Sequence, residues 1–313
     1  MFTTVFLLAG VAMIAVAAAT MLSTATWPRR APGAAILLWQ ALGLGWGLAA
    51  VGALAALAAR PEHTGVAGGV FAFAVSTVTR PADPAGQPVL VETFRLVALA
   101  LSVALLALLC WVLAAACAAV LRTRRRHRAL LALLGRGDPK VPGALVVDHP
   151  GAAAYCVPGL RSRIVISAGT LDLLDQAELA AVLAHERAHV RERHDLVLLP
   201  FTALCRAFPR VGVASQAYSC VALLVEMLAD DRARRARPAR ELATALLRFG
   251  VAGAQAAPSG ALAASAASQG EVAARVARLL EPQPGLSRLV WVGVCCSAAL
   301  LVVVPAALIV MPL

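Results

Sequence analysis

Four stretches of this chain run for 25 residues or more without one charged side chain: Phe2–Thr26, Ala31–Ala59, Leu96–Leu121 and Leu289–Leu313. A bilayer's hydrocarbon layer is crossed by about 20 apolar residues rising about 1.5 Å each in a helix. Each stretch is long enough, so the chain reads as an α-helical membrane protein with four transmembrane helices. The overall balance agrees: 60% of residues are hydrophobic and the mean hydropathy is +0.79, whereas soluble domains are roughly half apolar. The first stretch has no basic residue ahead of its apolar core and is long for a signal peptide, so it reads as a retained span. Trp27 and Trp291 stand near span ends, where the headgroup layer and packing inside a bundle suit an indole equally.

Basic residues set the orientation. Arg29 and Arg30 lie between spans one and two, and Arg122, Arg124, Arg125, Arg126 and Arg128 follow span three. Both clusters are expected on the cytoplasmic side. Residues 1–121 then form three spans with an external loop at 60–95, residues 122–288 a cytoplasmic domain, and residues 289–313 a fourth span; both termini lie outside. The 122–288 segment holds 23 of the 28 basic residues and 14 of the 17 acidic ones, so the positive excess faces the anionic leaflet of the lipid bilayer. No nucleic-acid motif or aromatic interleaving accompanies the arginines, and no direct nucleic-acid partner is expected. The seven cysteines include no CxxC pair and none in the external loop. They read as small packing residues in a reducing compartment.

Within the cytoplasmic segment, ALLALLGRGD continues the third span as a helix stopping at Gly135 or Gly137. Three β-type runs follow, at 144–149, 153–157 and 162–167, divided by Pro and Gly. Asp175 and Glu178 have capping-box spacing, and Leu179, Val182, Leu183 and Val190 recur at helical intervals. One long helix is expected from about Gln176 to about Leu199, interrupted by Pro200. Residues 201–229 are broken by Arg206, Pro209 and Arg210, so they read as a turn and a second helix rather than a fifth span. Residues 250–270 resemble a flexible linker in composition, and 271–282 a short amphipathic helix.

The helix at 176–199 carries the chemistry. In AVLAHERAHVRERHD, His185 and His189 stand four apart, one turn apart on one face, and present two imidazole nitrogens to one point. Those are two ligands of a tetrahedral zinc, and Glu186 neighbours them as the base for a water attacking a peptide carbonyl. Solvated helical histidines are the plainer alternative. A third ligand has three candidates. Asp195 is ten positions after His185, but that geometry needs a left-handed turn where Glu192 stands. His194, on a continuing helix, lies more than a turn past His189 and does not close on the same metal. Glu226 sits on the next helix in EMLAD, four before Asp230.

HERAH followed by E-x-x-A-D resembles the BlaR/MecR-type membrane zinc metallopeptidases, gluzincins related to HtpX-type and CAAX-prenyl proteases. VVDHPGAAAYCVPGLRSRIVISAGTLDLLDQAELAAVLAHERAH and ARVARLLEP extend that resemblance over most of the chain. It implies a zincin-like α+β peptidase domain inserted between spans three and four, zinc held by His185, His189 and Glu226, and Asp230 supporting a ligand histidine. It also implies a cytosolic regulator as substrate, such as a BlaI-type transcriptional repressor. BlaR-type sensors continue beyond the fourth span into an external penicillin-binding domain. This sequence ends at Leu313, so a signal is expected to enter through the 60–95 loop, the spans or a partner protein.

RARRARPAR at 232–240 reads as a solvated or lipid-facing patch, and less readily as a docking surface for an acidic substrate. Tyr218 is weighed as an oxyanion donor against a packed tyrosine, with packing preferred. His127 and His149 are isolated and expected in solvent. A strand such as AAYCV can accept an extended peptide along its edge. Two rival functions remain: a non-proteolytic membrane sensor or scaffold, and an HtpX-like quality-control protease.

Overall fold

The computed structural model describes residues 2–59, 65–79, 89–134, 136–137, 143–157, 163–256, 262–281 and 284–311. In chain order the helices before the sheet are α1 (Phe2–Thr24), α2 (Pro32–Ala58), α3 (Gly65–Thr79) and α4 (Val89–Leu134). The strands are β1 (Arg136–Gly137), β2 (Ala144–Val147), β3 (Ala154–Val157) and β4 (Arg163–Ser167). The remaining helices are α5 (Ala168–Leu173), α6 (Gln176–Glu192), α7 (His194–Ala207), α8 (Gly212–Ala233), α9 (Ala239–Ala256), α10 (Leu262–Leu280) and α11 (Arg288–Val310). They form two compact units: residues 1–115, 200–220 and 286–313, and residues 116–199 and 221–285.

The first unit is a helical bundle. Among the described residues, five helices are long and apolar enough to cross a membrane: α1, α2, α4 and α11, as the charge-free runs suggest, and α8. Glycines bring α2 and α11 together. A side chain at Gly45 would strike the Leu301 carbonyl, and one at Gly52 would come within 2.8 Å of the Ile309 side chain. Small residues at such crossings let backbones approach closely where lipid supplies no hydrophobic drive. Part of the expected external loop is the apolar helix α3, whose Val66 and Phe73 are buried in this bundle. Residues 60–64 and 80–88 of that loop lie outside the described residues.

α7 and α8 form a hairpin turning at Pro209 and Arg210, two of the residues that disfavour an uninterrupted span. Phe201 meets the Trp39 ring edge-on at 6.5 Å, and Phe208 meets Trp46 at 5.4 Å. The tip is therefore level with the middle of α2. Pro200 sits inside α7 rather than ending a helix.

The second unit is built on the four-stranded sheet, in the order β1-β2-β4-β3. β2 and β4 are parallel, with Ala144 opposite Ile164; β3 runs antiparallel to β4 as an outer strand, with Ala154 opposite Ile166. Alternation along β4 assigns its faces. Ile164 and Ile166 pack with Leu179, Val182 and Leu183 of α6, whereas Val165 packs with Leu131 of α4. Leu242 of α9 and Val276 and Leu279 of α10 complete the α6 side of the core. The start of α6 is held as its capping box implies: Asp175 accepts from the Ala177 and Glu178 N–H groups at 2.9 Å, and Glu178 accepts from the Asp175 N–H at 3.1 Å. Buried Glu178 also pairs with Arg248 of α9 at 2.8 Å, which ties the cap into the core.

Two sequence expectations fail here. The helix expected from 176 to 199 is broken after Glu192, where Arg193 takes a left-handed conformation (φ 50°, ψ 47°) and caps α6. Helical periodicity is blind to a single left-handed residue when that residue is not glycine. The 250–270 segment is largely helix, α9 reaching Ala256 and α10 starting at Leu262; alanine, which suggested a linker there, is also the best helix former. Left-handed backbone costs an L-residue roughly 1–2 kcal/mol, and glycine's greater freedom in the unfolded chain returns part of the gain. Arg193→Gly is accordingly expected to stabilise the fold by about 0.5–1 kcal/mol, read as a higher melting midpoint.

Candidate metal centre

α6 delivers His185 and His189 on one face, a turn apart, and α8 brings Glu226 to the same point. His185 Nε2 and His189 Nε2 are 3.0 Å apart; Glu226 Oε2 is 3.3 Å from the first and Glu226 Oε1 3.4 Å from the second. Among the described residues these three form a group able to hold a metal ion. Zinc with ligand bonds of about 2.0–2.1 Å at tetrahedral angles spaces its donors about 3.3–3.4 Å apart. The triangle fits that size, and the donor set of two imidazoles and a carboxylate suits zinc chemically.

A polar neighbour stands behind the outer nitrogen of each imidazole. His185 Nδ1 lies 2.9 Å from Asp230 Oδ1, and His189 Nδ1 lies 3.0 Å from His194 Nδ1. Both contacts aim Nε2 inward. Burial disfavours a charged imidazole at His185, but the Asp230 and Glu226 carboxylates outweigh it and push the group up to about 9. The cluster thus favours a cation between its donors. Glu186 follows His185 on α6 and is half-buried. Burial raises its carboxyl above the usual range, while His185 and His189 pull it back.

Sequence reasoning missed Arg275 on α10. Its Nε and Nη2 donate to the two Asp230 oxygens at 2.8 Å each, and Nη1 lies 3.0 Å from Glu226 Oε2. One buried guanidinium therefore clamps the carboxylate behind His185 and the candidate third ligand together. A bidentate pair of this kind is the strong form of the ion pair, and removing one partner would leave a buried charge alone. A signal existed. Val272, Arg275, Val276 and Leu279 share one helical stripe, and Val276 and Leu279 are core, so the arginine on that stripe had to meet a buried acid.

The other candidates fall elsewhere. Asp195 pairs with Arg124 of α4 and is not in the ligand group. His194 is not in that group either, but the break at Arg193 turns it back against His189, where a continuous helix would have carried it away. Arg232, first of the basic run 232–240, pairs with Glu192, and Arg234 with Asp231 at 3.1 Å. His127 and His149 are exposed. Tyr218 belongs to the helical bundle and is exposed, not packed.

Residues 120–262 match the sequence profile of Peptidase family M48, which brackets α6 and α8 but ends before Arg275. The chain is 35% identical over 65 residues to "Protease HtpX homolog" of Acidiphilium cryptum (strain JF-5), covering 21% of this chain and 23% of that protein. The chain thus spans under a quarter of that relative's length. No solved structure matches.

Proposed function

We propose that this protein is a membrane-anchored zinc metalloendopeptidase of the M48 type. The observation that carries the reading is the triangle of His185, His189 and Glu226 with Glu186 beside it on α6. His185, His189 and Glu226 would hold the zinc, which when bound supplies a Lewis acid for water and the scissile carbonyl. Glu186 takes the proton from the attacking water and passes it to the departing amine. Burial raises that carboxyl, which eases its holding the proton between the two steps. Asp230 and Arg275 hold His185 and Glu226 in place. β3 is one of the sheet's two outer strands and packs against α6, so its edge is the candidate to take up an extended substrate peptide. The likeness to an HtpX homologue supports a protease over a non-proteolytic sensor.

The peptidase part is assigned to the cytoplasm on the arginine clusters beside the spans, with a cytosolic regulator such as a BlaI-type repressor as substrate. Purified in detergent, the protein should carry about one zinc per chain and cut an unfolded test protein such as casein. 1,10-Phenanthroline should stop cleavage and added zinc restore it. Metal-free protein whose stability is untouched by His185→Ala would favour the sensor reading. Comparing cleavage products between wild-type and Glu186→Gln cells would name the substrate: a repressor supports signalling, misfolded membrane proteins quality control.

A further inference from the structure

A histidine five residues beyond the HExxH stretch is buried against it without being a ligand. His194 is 2% exposed. Its Nδ1 lies 3.0 Å from His189 Nδ1, the rings meet at 90°, and its Nε2 lies 3.4 Å from Glu192 Oε2. Glu192 is in turn paired with Arg232. The left-handed residue Arg193 stands between Glu192 and His194 and produces this placement.

We propose that His194 is a positioning residue for His189, fixing its tautomer so that Nε2 is left as an acceptor toward the metal. The inference rests on the zinc-centre reading above. A ligand histidine binds metal through an unprotonated nitrogen, so His189 must carry its proton on Nδ1 if Nε2 is to be free. Nδ1–H then needs a buried acceptor, and His194 Nδ1 is the group there. To accept, His194 must carry its own proton on Nε2, which faces the Glu192 carboxylate. His194 thus accepts from His189, and the Glu192 carboxylate, 3.4 Å from His194 Nε2, favours the proton on that nitrogen by its charge. The arrangement parallels the Asp230 contact behind His185, with a second imidazole extending the reach of the carboxylate.

Such outer contacts typically change metal affinity by about 10–100-fold. The test is zinc affinity of the full-length protein in detergent, by competition with a chelating dye, together with the visible spectrum of the cobalt-substituted protein. His194→Phe keeps the ring volume and removes the acceptor. It should weaken zinc binding by about 10–100-fold and alter the cobalt spectrum, with the melting midpoint of the metal-free protein unchanged. His194→Asn places an amide oxygen where Nδ1 stood, and should recover affinity to within a few-fold. Wild-type affinity and spectrum in His194→Phe would overturn the proposal. Should that variant not fold, Glu192→Leu decides: zinc binding weakened supports the proposal, and unchanged binding overturns it. Wild-type protein that binds no zinc would sink the metal centre itself, and this inference with it.

Discussion

Glu186→Gln should retain its zinc and lose at least about a hundredfold in cleavage rate, because a positioned general base contributes roughly 10²–10⁴-fold. The glutamine has the same volume, and Glu186 is not among the three donors that meet, so metal content is expected to stay at the wild-type level. The paired measurement is metal per chain by mass spectrometry and initial cleavage rate on one preparation. Equal cleavage by both proteins would remove Glu186 from the mechanism. Loss of metal along with rate would instead make it a ligand, contrary to its place outside the donor triangle.

The second large effect is on the metal itself. Glu226→Ala removes the donor contributed by α8, and the two histidines of α6 alone make a weak site. Structural zinc sites bind with roughly 10–16 kcal/mol shared among four ligands, so one ligand is worth on the order of 10²–10³-fold in affinity. Zinc that survives dialysis against a mild chelator in the wild type should be stripped from Glu226→Ala. The fold should persist, since Arg275 retains both contacts to Asp230 and no buried charge is orphaned. A variant keeping wild-type zinc affinity would show that α8 supplies no ligand.

What was legible in the sequence was local. The apolar runs, the Asp175–Glu178 cap and the four-residue histidine spacing each follow from short-range periodicity, and the start of α6 formed where the cap implies although its end did not. Glu226 and Asp230 could be picked out only through resemblance, because nothing within α8 says that it meets α6. Arg275, 86 residues beyond His189, was invisible for the same reason, although its place on an apolar stripe marked it as an arginine needing an acid. The break at Arg193 escaped because a left-handed arginine carries no compositional sign. With it went the position of His194, whose partner is decided by one backbone rotation.

The hairpin of α7 and α8 has a consequence for how this protein can be handled and how it can evolve. Its two legs leave from His194 and return to Glu226, and between them residues 200–220 belong with the bundle of apolar helices. Cutting at the borders of the spans would thus leave a fragment with an apolar prong containing Phe201, Leu204, Phe208 and Val211. The chain leaves the second unit after residue 199 and re-enters it at 221, so parting the two units by proteolysis takes cuts at these crossings in addition to those at 115 and 286.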